Sequence, residues 1–261
     1  MLTYLALFAA GAVASVINVL AGGGSFLTLP VLIFAGLPAV EANATNRVGV
    51  LAQNAVAVWG FHRFRVLGWR WAGVVAVPAV LGAVLGTWAA LVIPDETFER
   101  VLAVLMVALT LWTLLRRQDR RTAAIAGAPP TGPLPVAGRP GAPAAATHPL
   151  LLLGFFLVGV YGGFVQAGVG FLVLAATSLA GLDLVRGNAI KVLAILALTL
   201  LSLGIFAWQG AVRWPEGLAL ALGSVLGGQI GVHLTVLKGH RWLQRVVTAT
   251  VVLFAVLLWL R

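Results

Sequence analysis

The 261-residue chain has no cysteine, which excludes a disulfide framework, a thiolate metal site and a cysteine nucleophile. Charge is nearly as scarce. Charged residues make up 9% of the chain, against roughly a quarter in a soluble domain, so an ordinary wetted surface cannot be built from it. What remains is apolar, with 61% hydrophobic residues and a mean hydropathy of +1.04. Apolar runs such as 71–93 and 216–237 approach the ~20 residues a helix needs to cross about 30 Å of hydrocarbon. The expected class is all-α: a polytopic helical membrane protein with the lipid bilayer as its partner. The opening Met1-Leu2-Thr3-Tyr4 lacks the basic region of a cleaved signal peptide, so the first apolar run is expected to be part of the membrane structure.

The few charges are unbalanced, 17 Lys and Arg against 7 Asp and Glu, for a net charge of +10. The basic residues stand in short clusters between apolar runs, as the positive-inside bias distributes them. No segment offers a basic surface for nucleic acid, and none is expected as a partner. Enzyme signatures are equally absent. His62, His148, His233 and His240 stand singly, there is no Gly-x-Ser-x-Gly, and Gly22-Gly23-Gly24-Ser25 has no following lysine to make a phosphate loop. The sequence therefore predicts neither enzyme, metal nor cofactor.

One stretch differs in kind. Residues 116–148 are rich in Pro, Ala and Gly and carry five arginines, a composition that reads as a flexible cytoplasmic linker. It divides the chain into membrane repeats at 1–115 and 149–261. Displacing the sequence by 145 residues without a gap superposes Asn43-Ala44 on Asn188-Ala189, Trp69 on Trp214 and Val80-Leu81-Gly82 on Val225-Leu226-Gly227. Between positions 23 and 101, 21 of 79 pairs are identical, where a composition this biased gives roughly a tenth by chance. The chain is an internal duplication.

Each half reads as a glycine-interrupted hairpin followed by three spans: about 45–61, 71–93 and 98–115, then about 187–208, 215–237 and 242–260. His62, Arg63, Arg65 and Arg70 place one loop of the first half in the cytoplasm, whereas the basic cluster of the second half, Lys238, His240, Arg241 and Arg245, falls one loop later. The positive-inside rule then makes the repeats inverted. A parallel repeat, with a single crossing in place of each hairpin, stays open, as does a total of 8 to 10 crossings and any homo-oligomer.

Polar chemistry concentrates in the interruptions. Asn18 precedes Gly22, Gly23, Gly24 and Ser25, and in the second half Gln166 precedes Gly168-Val169-Gly170. Successive glycines favour unwinding, and a helix restarting after them aims free N–H groups and a positive dipole end at whatever lies beyond, an anion site in principle. The plainer reading is close helix approach. Next come Asn43, Asn46 and Arg47, matched by Asn188 and Lys191. Two cations at nearly equivalent repeat positions suggest one shared anion, unless both snorkel to the headgroups. Gln53, Asn54, Gln166, Gln229 and His233 read equally as neutral ligands and as interhelical ties.

At these residues the sequence resembles the sulfite exporter TauE/SafE family. The resemblance rests on Ala21-Gly22-Gly23-Gly24-Ser25-Phe26-Leu27-Thr28-Leu29-Pro30, on residues 37–46, and on the repeated glycines at 168–170. It implies a bacterial inner-membrane transporter that exports sulfite or a small organosulfonate. The second half has Val169 within its glycine run and no counterpart of Pro30, so the resemblance implies an asymmetric cradle. The leading expectation is a secondary transporter or facilitator for a small anion, bound between the repeats by Asn18, Gly22, Gly23, Gly24, Ser25, Asn43, Asn46, Arg47, Gln166, Gly168, Gly170, Asn188 and Lys191. All seven carboxylates fall in loops or span ends, and an inside-negative potential favours anion exit by about 2.3 kcal/mol per charge per 100 mV, so export needs no proton coupling. The rival from another class is a structural or assembly subunit of a membrane complex, which would leave the duplicated polar positions unexplained.

Overall fold

The computed structural model describes residues 1–20, 22–115, 149–180, 182 and 184–259. The expected linker at 116–148 lies outside them. Every element among the described residues is helical: α1 (Leu2–Leu20), α2 (Ser25–Phe34), α3 (Ala39–Arg63), α4 (Trp69–Val92) and α5 (Asp95–Leu115), then α6 (Pro149–Phe164), α7 (Val169–Leu179), α8 (Leu184–Trp208) and α9 (Trp214–Trp259). Both glycine-rich segments break a helix, α1 from α2 and α6 from α7. Helices α2 and α7 have 10 and 11 residues, about half a bilayer at 1.5 Å per residue.

Four segments among the described residues are long and apolar enough to span, namely Leu2–Leu20, Gly73–Val92, Val185–Trp208 and Trp214–Leu237. Helix α3 has 25 residues, yet is too polar for that group because of Asn43, Asn46, Arg47, Gln53 and Asn54. All five are buried. The most polar helix is thus the one the others surround, as bilayer physics requires.

Helix packing crosses between the halves. Helix α1 lies along α9 and α4 along α6, and in both pairs glycine lets the backbones approach. A Cβ on Gly227 would strike the Ala12 carbonyl, and one on its repeat equivalent Gly82 would strike the Phe156 carbonyl and sit 2.7 Å from Val160 N. Close approach is therefore what these glycines provide. Gln53 of α3 pairs with Asn18 at 3.2 Å, whose carbonyl receives Lys191 of α8. Nearer its start, Arg47 of α3 pairs with Gln166 at 2.7 Å, which holds Thr199, nearer the end of α8. The equivalent helices α3 and α8 accordingly run antiparallel.

One expected element differs. The sequence predicts a loop near 238–245 between two spans, but α9 continues through it as a single helix of 46 residues. In the first half Pro94 and Asp95 stop α4 and start α5; the equivalent positions are Gly239 and His240. A lone glycine costs a helix about 1 kcal/mol and does not end it, whereas proline removes a donor and clashes.

Candidate functional site

The two breaks meet at the centre of the protein. Gly22 has φ +96°, and a Cβ there would fall 2.5 Å from the Gly170 carbonyl carbon and 2.7 Å from Phe171 N. Gly23 is packed against the Phe171 ring, Gly24 against the Ala14 carbonyl and Asn18. Gly168, with φ +71°, starts α7. Backbone this close to backbone tolerates no side chain.

A helix that ends inside a membrane leaves four carbonyls to be satisfied. For α1 these are Ile17, Asn18, Val19 and Leu20. Gly22 N reaches the first at 3.4 Å, Lys191 Nζ donates to the second and third at 2.8 Å each, and Asn188 Nδ2 reaches the fourth at 3.4 Å. Helix α6 is completed in the same way. Val165 N donates to Tyr161 O at 2.7 Å, Arg47 donates to Gly162 O at 3.1 Å and Gly163 O at 2.6 Å, and Asn43 Nδ2 donates to Phe164 O at 2.9 Å.

Asn43 and Asn188 are repeat equivalents, while Arg47 follows its Asn by four residues and Lys191 by three. Both spacings place cation and amide on one helix face. Each half thereby closes the negative end of the other half's broken helix. Arg47 and Lys191 are 0% and 1% exposed, so neither snorkels. Nor does the structure bring them to one point: their donors go to two different helix ends. Gln166 joins the Arg47 end, receiving a guanidinium hydrogen bond and donating to Thr199 at 3.0 Å. Thr87 and Ser202 adjoin it, 2.8 Å apart.

Beside the first break lies a small polar cavity of about 10 Å³, the size of a single water. Its wall includes Ser15, Asn18, Gly24, Ser25, Thr28, Asn46, Gln53 and Ser224, with Ala14, Val50 and Leu220 as its apolar part. Asn46 ties it together, donating to Ser25 Oγ at 3.2 Å and accepting from Thr28 Oγ1 at 2.6 Å. Ser25 opens α2, whose N-terminal end faces this wall with no side-chain cap. Ser15 and Ser224, each 2% exposed, have no hydrogen-bond partner among the described residues. Buried hydroxyls rarely go unpaired in a native structure.

Of the residues expected at the site, Asn18, Gly24, Ser25 and Asn46 come together at this cavity. Gly22, Gly23, Asn43, Arg47, Gln166, Gly168, Gly170, Asn188 and Lys191 form or close the breaks. Ser15, Thr28 and Ser224 escape a sequence reading because a lone hydroxyl in an apolar helix carries no pattern. The wall is not repeated in kind in the other half. At the equivalents of Ser25, Thr28, Gln53 and Ser224 stand Gly170, Val173, Leu198 and Ala79, and Val173 packs with Val75, Phe155, Val169 and Ile195.

No buried carboxylate accompanies the two buried cations among the described residues. Glu41, Asp95 and Glu216 begin helices at one end of the bundle. There Asp95 accepts from Val40 N at 3.1 Å and Glu41 from Arg213 at 2.7 Å. The Glu41 hydrogen bond, and then its charge, raise the Arg213 guanidinium above its ordinary pKa.

The profile of the sulfite exporter TauE/SafE family matches residues 7–258. The chain belongs to that family. Among similar proteins is a probable membrane transporter protein, ORF9, of Sinorhizobium, 28% identical over 90% of this chain and 84% of its own. Another, from Haemophilus influenzae, is 28% identical over 89% and 85%. Escherichia coli K12 YfcA, also a probable membrane transporter protein, is 25% identical over 97% and 88%. No solved structure matches. This TauE/SafE chain is a multi-pass membrane transporter, and its description as such fits four apolar spans around a polar buried helix.

Proposed function

We propose that the protein exports a small anion, sulfite or an organosulfonate, across the bacterial inner membrane, and that the cavity beside Ser25 is its substrate site. The observation that carries this reading is the cavity itself: buried hydroxyls of Ser15 and Ser224 without partners, facing the positive end of α2. Two buried cations, with no buried carboxylate among the described residues, add a field that favours anions over cations. The family's description as sulfite exporters supports the sulfur oxyanion.

In this reading Asn18, Ser25, Asn46 and Gln53, with Ser15, Thr28 and Ser224, touch the substrate. Arg47, Lys191, Asn43 and Asn188 position the broken helices and thereby the N-terminus of α2. A space of about 10 Å³ holds no sulfur oxyanion, so binding requires α2 to separate from α1 and α9. Repeats 1–115 and 149–261, inverted as the antiparallel course of α3 and α8 suggests, would rock about the contact of Gly22 with Gly170. The test is potential-driven flux of sulfite and methanesulfonate in liposomes. Wild-type protein carries the anions, and Asn46→Ala does not, although it remains folded with an unfolding temperature lowered by the loss of its bonds to Ser25 and Thr28. Anion flux that survives Asn46→Ala unchanged places the site elsewhere.

A further inference from the structure

Every polar side chain lining the cavity is neutral: Ser15, Asn18, Ser25, Thr28, Asn46, Gln53 and Ser224. Neither buried cation is in the wall. Lys191 gives two hydrogen bonds to Asn18 O and Val19 O, and Arg47 is engaged by Gly162 O, Gly163 O and Gln166. Each cation also faces a helix end equivalent to roughly half a negative charge, and α2 offers roughly half a positive one. An anion in this cavity meets hydroxyl and amide dipoles and a modest positive field, with no ammonium or guanidinium in contact.

Such a site treats one charge and two very differently. The cost of stripping water from an ion grows as the square of its charge, while its attraction to fixed dipoles grows only in proportion. A monoanion loses one hydration shell and receives hydrogen bonds in return. A dianion loses about four times the hydration free energy for twice the attraction. We propose that the cavity selects its substrate by charge number, carrying monoanions and rejecting dianions. Sulfite then crosses as hydrogen sulfite, and an organosulfonate crosses as it stands. This rests on the reading of the cavity as the substrate site.

The repeat relation identifies the position that sets the selectivity. Asn46 lines the cavity, and at the equivalent position the second half has Lys191. A cation at 46 would supply the contact a second negative charge lacks.

The experiment uses the full chain in liposomes with the membrane potential clamped at one value. Initial flux is measured for methanesulfonate, always a monoanion, for sulfate, always a dianion near neutrality, and for sulfite as pH is raised. Methanesulfonate flux should be flat with pH and at least about tenfold faster than sulfate, while sulfite flux falls about tenfold per pH unit once hydrogen sulfite loses its proton. Sulfate moving as fast as methanesulfonate, or sulfite flux holding steady into alkaline pH, overturns charge selection but leaves the anion-transport reading standing. Absence of flux for all three overturns both. Asn46→Lys should raise the sulfate to methanesulfonate ratio, and an unchanged ratio in a folded variant that still carries methanesulfonate counts against the proposal. If that variant does not fold, the wild-type comparison alone decides.

Discussion

The ammonium of Lys191 donates at 2.8 Å to the carbonyl of Asn18, 173 residues earlier in the chain. One side chain thus closes a helix end, ties one half of the molecule to the other, and brings a buried charge to rest without a carboxylate. Arg47 does the same in the opposite direction, so the two cations act as reciprocal plugs.

Removing a plug leaves main-chain carbonyls unpaired in the interior, at about 1–3 kcal/mol each. Lys191→Met, which strands Asn18 O and Val19 O, should lower stability by about 2–5 kcal/mol, and Lys191→Gln by less because an amide still donates. Unfolding in detergent by heat or denaturant measures this. A Lys191→Met protein as stable as wild type contradicts the plug.

Gly22 and Gly36 share a φ of +96° but not a setting. A Cβ on Gly22 meets the Gly170 backbone, whereas one on Gly36 meets nothing within 4 Å. Gly36→Ala should cost only the left-handed strain of about 1–2 kcal/mol, and Gly22→Ala clearly more, with loss of transport. Gly73, in α4 with open space around it, is the control, where alanine should stabilise by up to about 1 kcal/mol. Equal losses at 22 and 36 would remove the case for contact between the breaks.

The sequence displays the breaks plainly. Three successive glycines at 22–24 and the pair at 168 and 170 fall inside apolar runs, and the duplication aligns Asn43 with Asn188. It also displays that Arg47 and Lys191 are special. What it cannot display is their partners, because a helix end's carbonyls belong to the backbone and appear in no motif. Arg47 and Lys191 therefore look like a pair awaiting a ligand, when each already has one in the other half. Ser15 and Ser224 are illegible for a related reason: they become a site only when α1 and α9 lie side by side. The continuation of α9 past Leu237 turns on Gly239 and His240 replacing Pro94 and Asp95, a contrast visible only once the halves are aligned.

Cavity hydroxyls without partners contribute little to the fold. Ser15→Ala and Ser224→Ala should leave stability within about 1 kcal/mol of wild type, yet each should raise KM for the anion about 10- to 150-fold, the worth of one lost hydrogen bond to a charged group. Unfolding and concentration-dependent flux on the same preparations separate the effects. A KM unchanged in both variants means the cavity does not hold substrate.

The absence of native cysteine makes single-cysteine labelling clean. Glu41 with Arg213 and Val40 with Asp95 gather the loops before α3, before α5 and before α9 at one end of the bundle. Cysteines at Gly36 and Gln209, both exposed, should react with an impermeant thiol reagent from one side of the membrane, and one at His62 only from the other. Labelling of Gly36 and Gln209 from opposite sides contradicts the helix arrangement and the inverted repeat drawn from it.

The measurement that bears most directly on the central claim is flux of methanesulfonate at a fixed potential for wild type, Asn46→Ala and Lys191→Gln. The claim predicts that Asn46→Ala, folded though somewhat destabilised by the loss of its bonds to Ser25 and Thr28, loses flux, and that Lys191→Gln loses flux together with stability. Asn46→Ala transporting normally while Lys191→Gln stays fully stable but inactive would contradict it, making the buried cation the substrate's ligand and the neutral cavity a bystander.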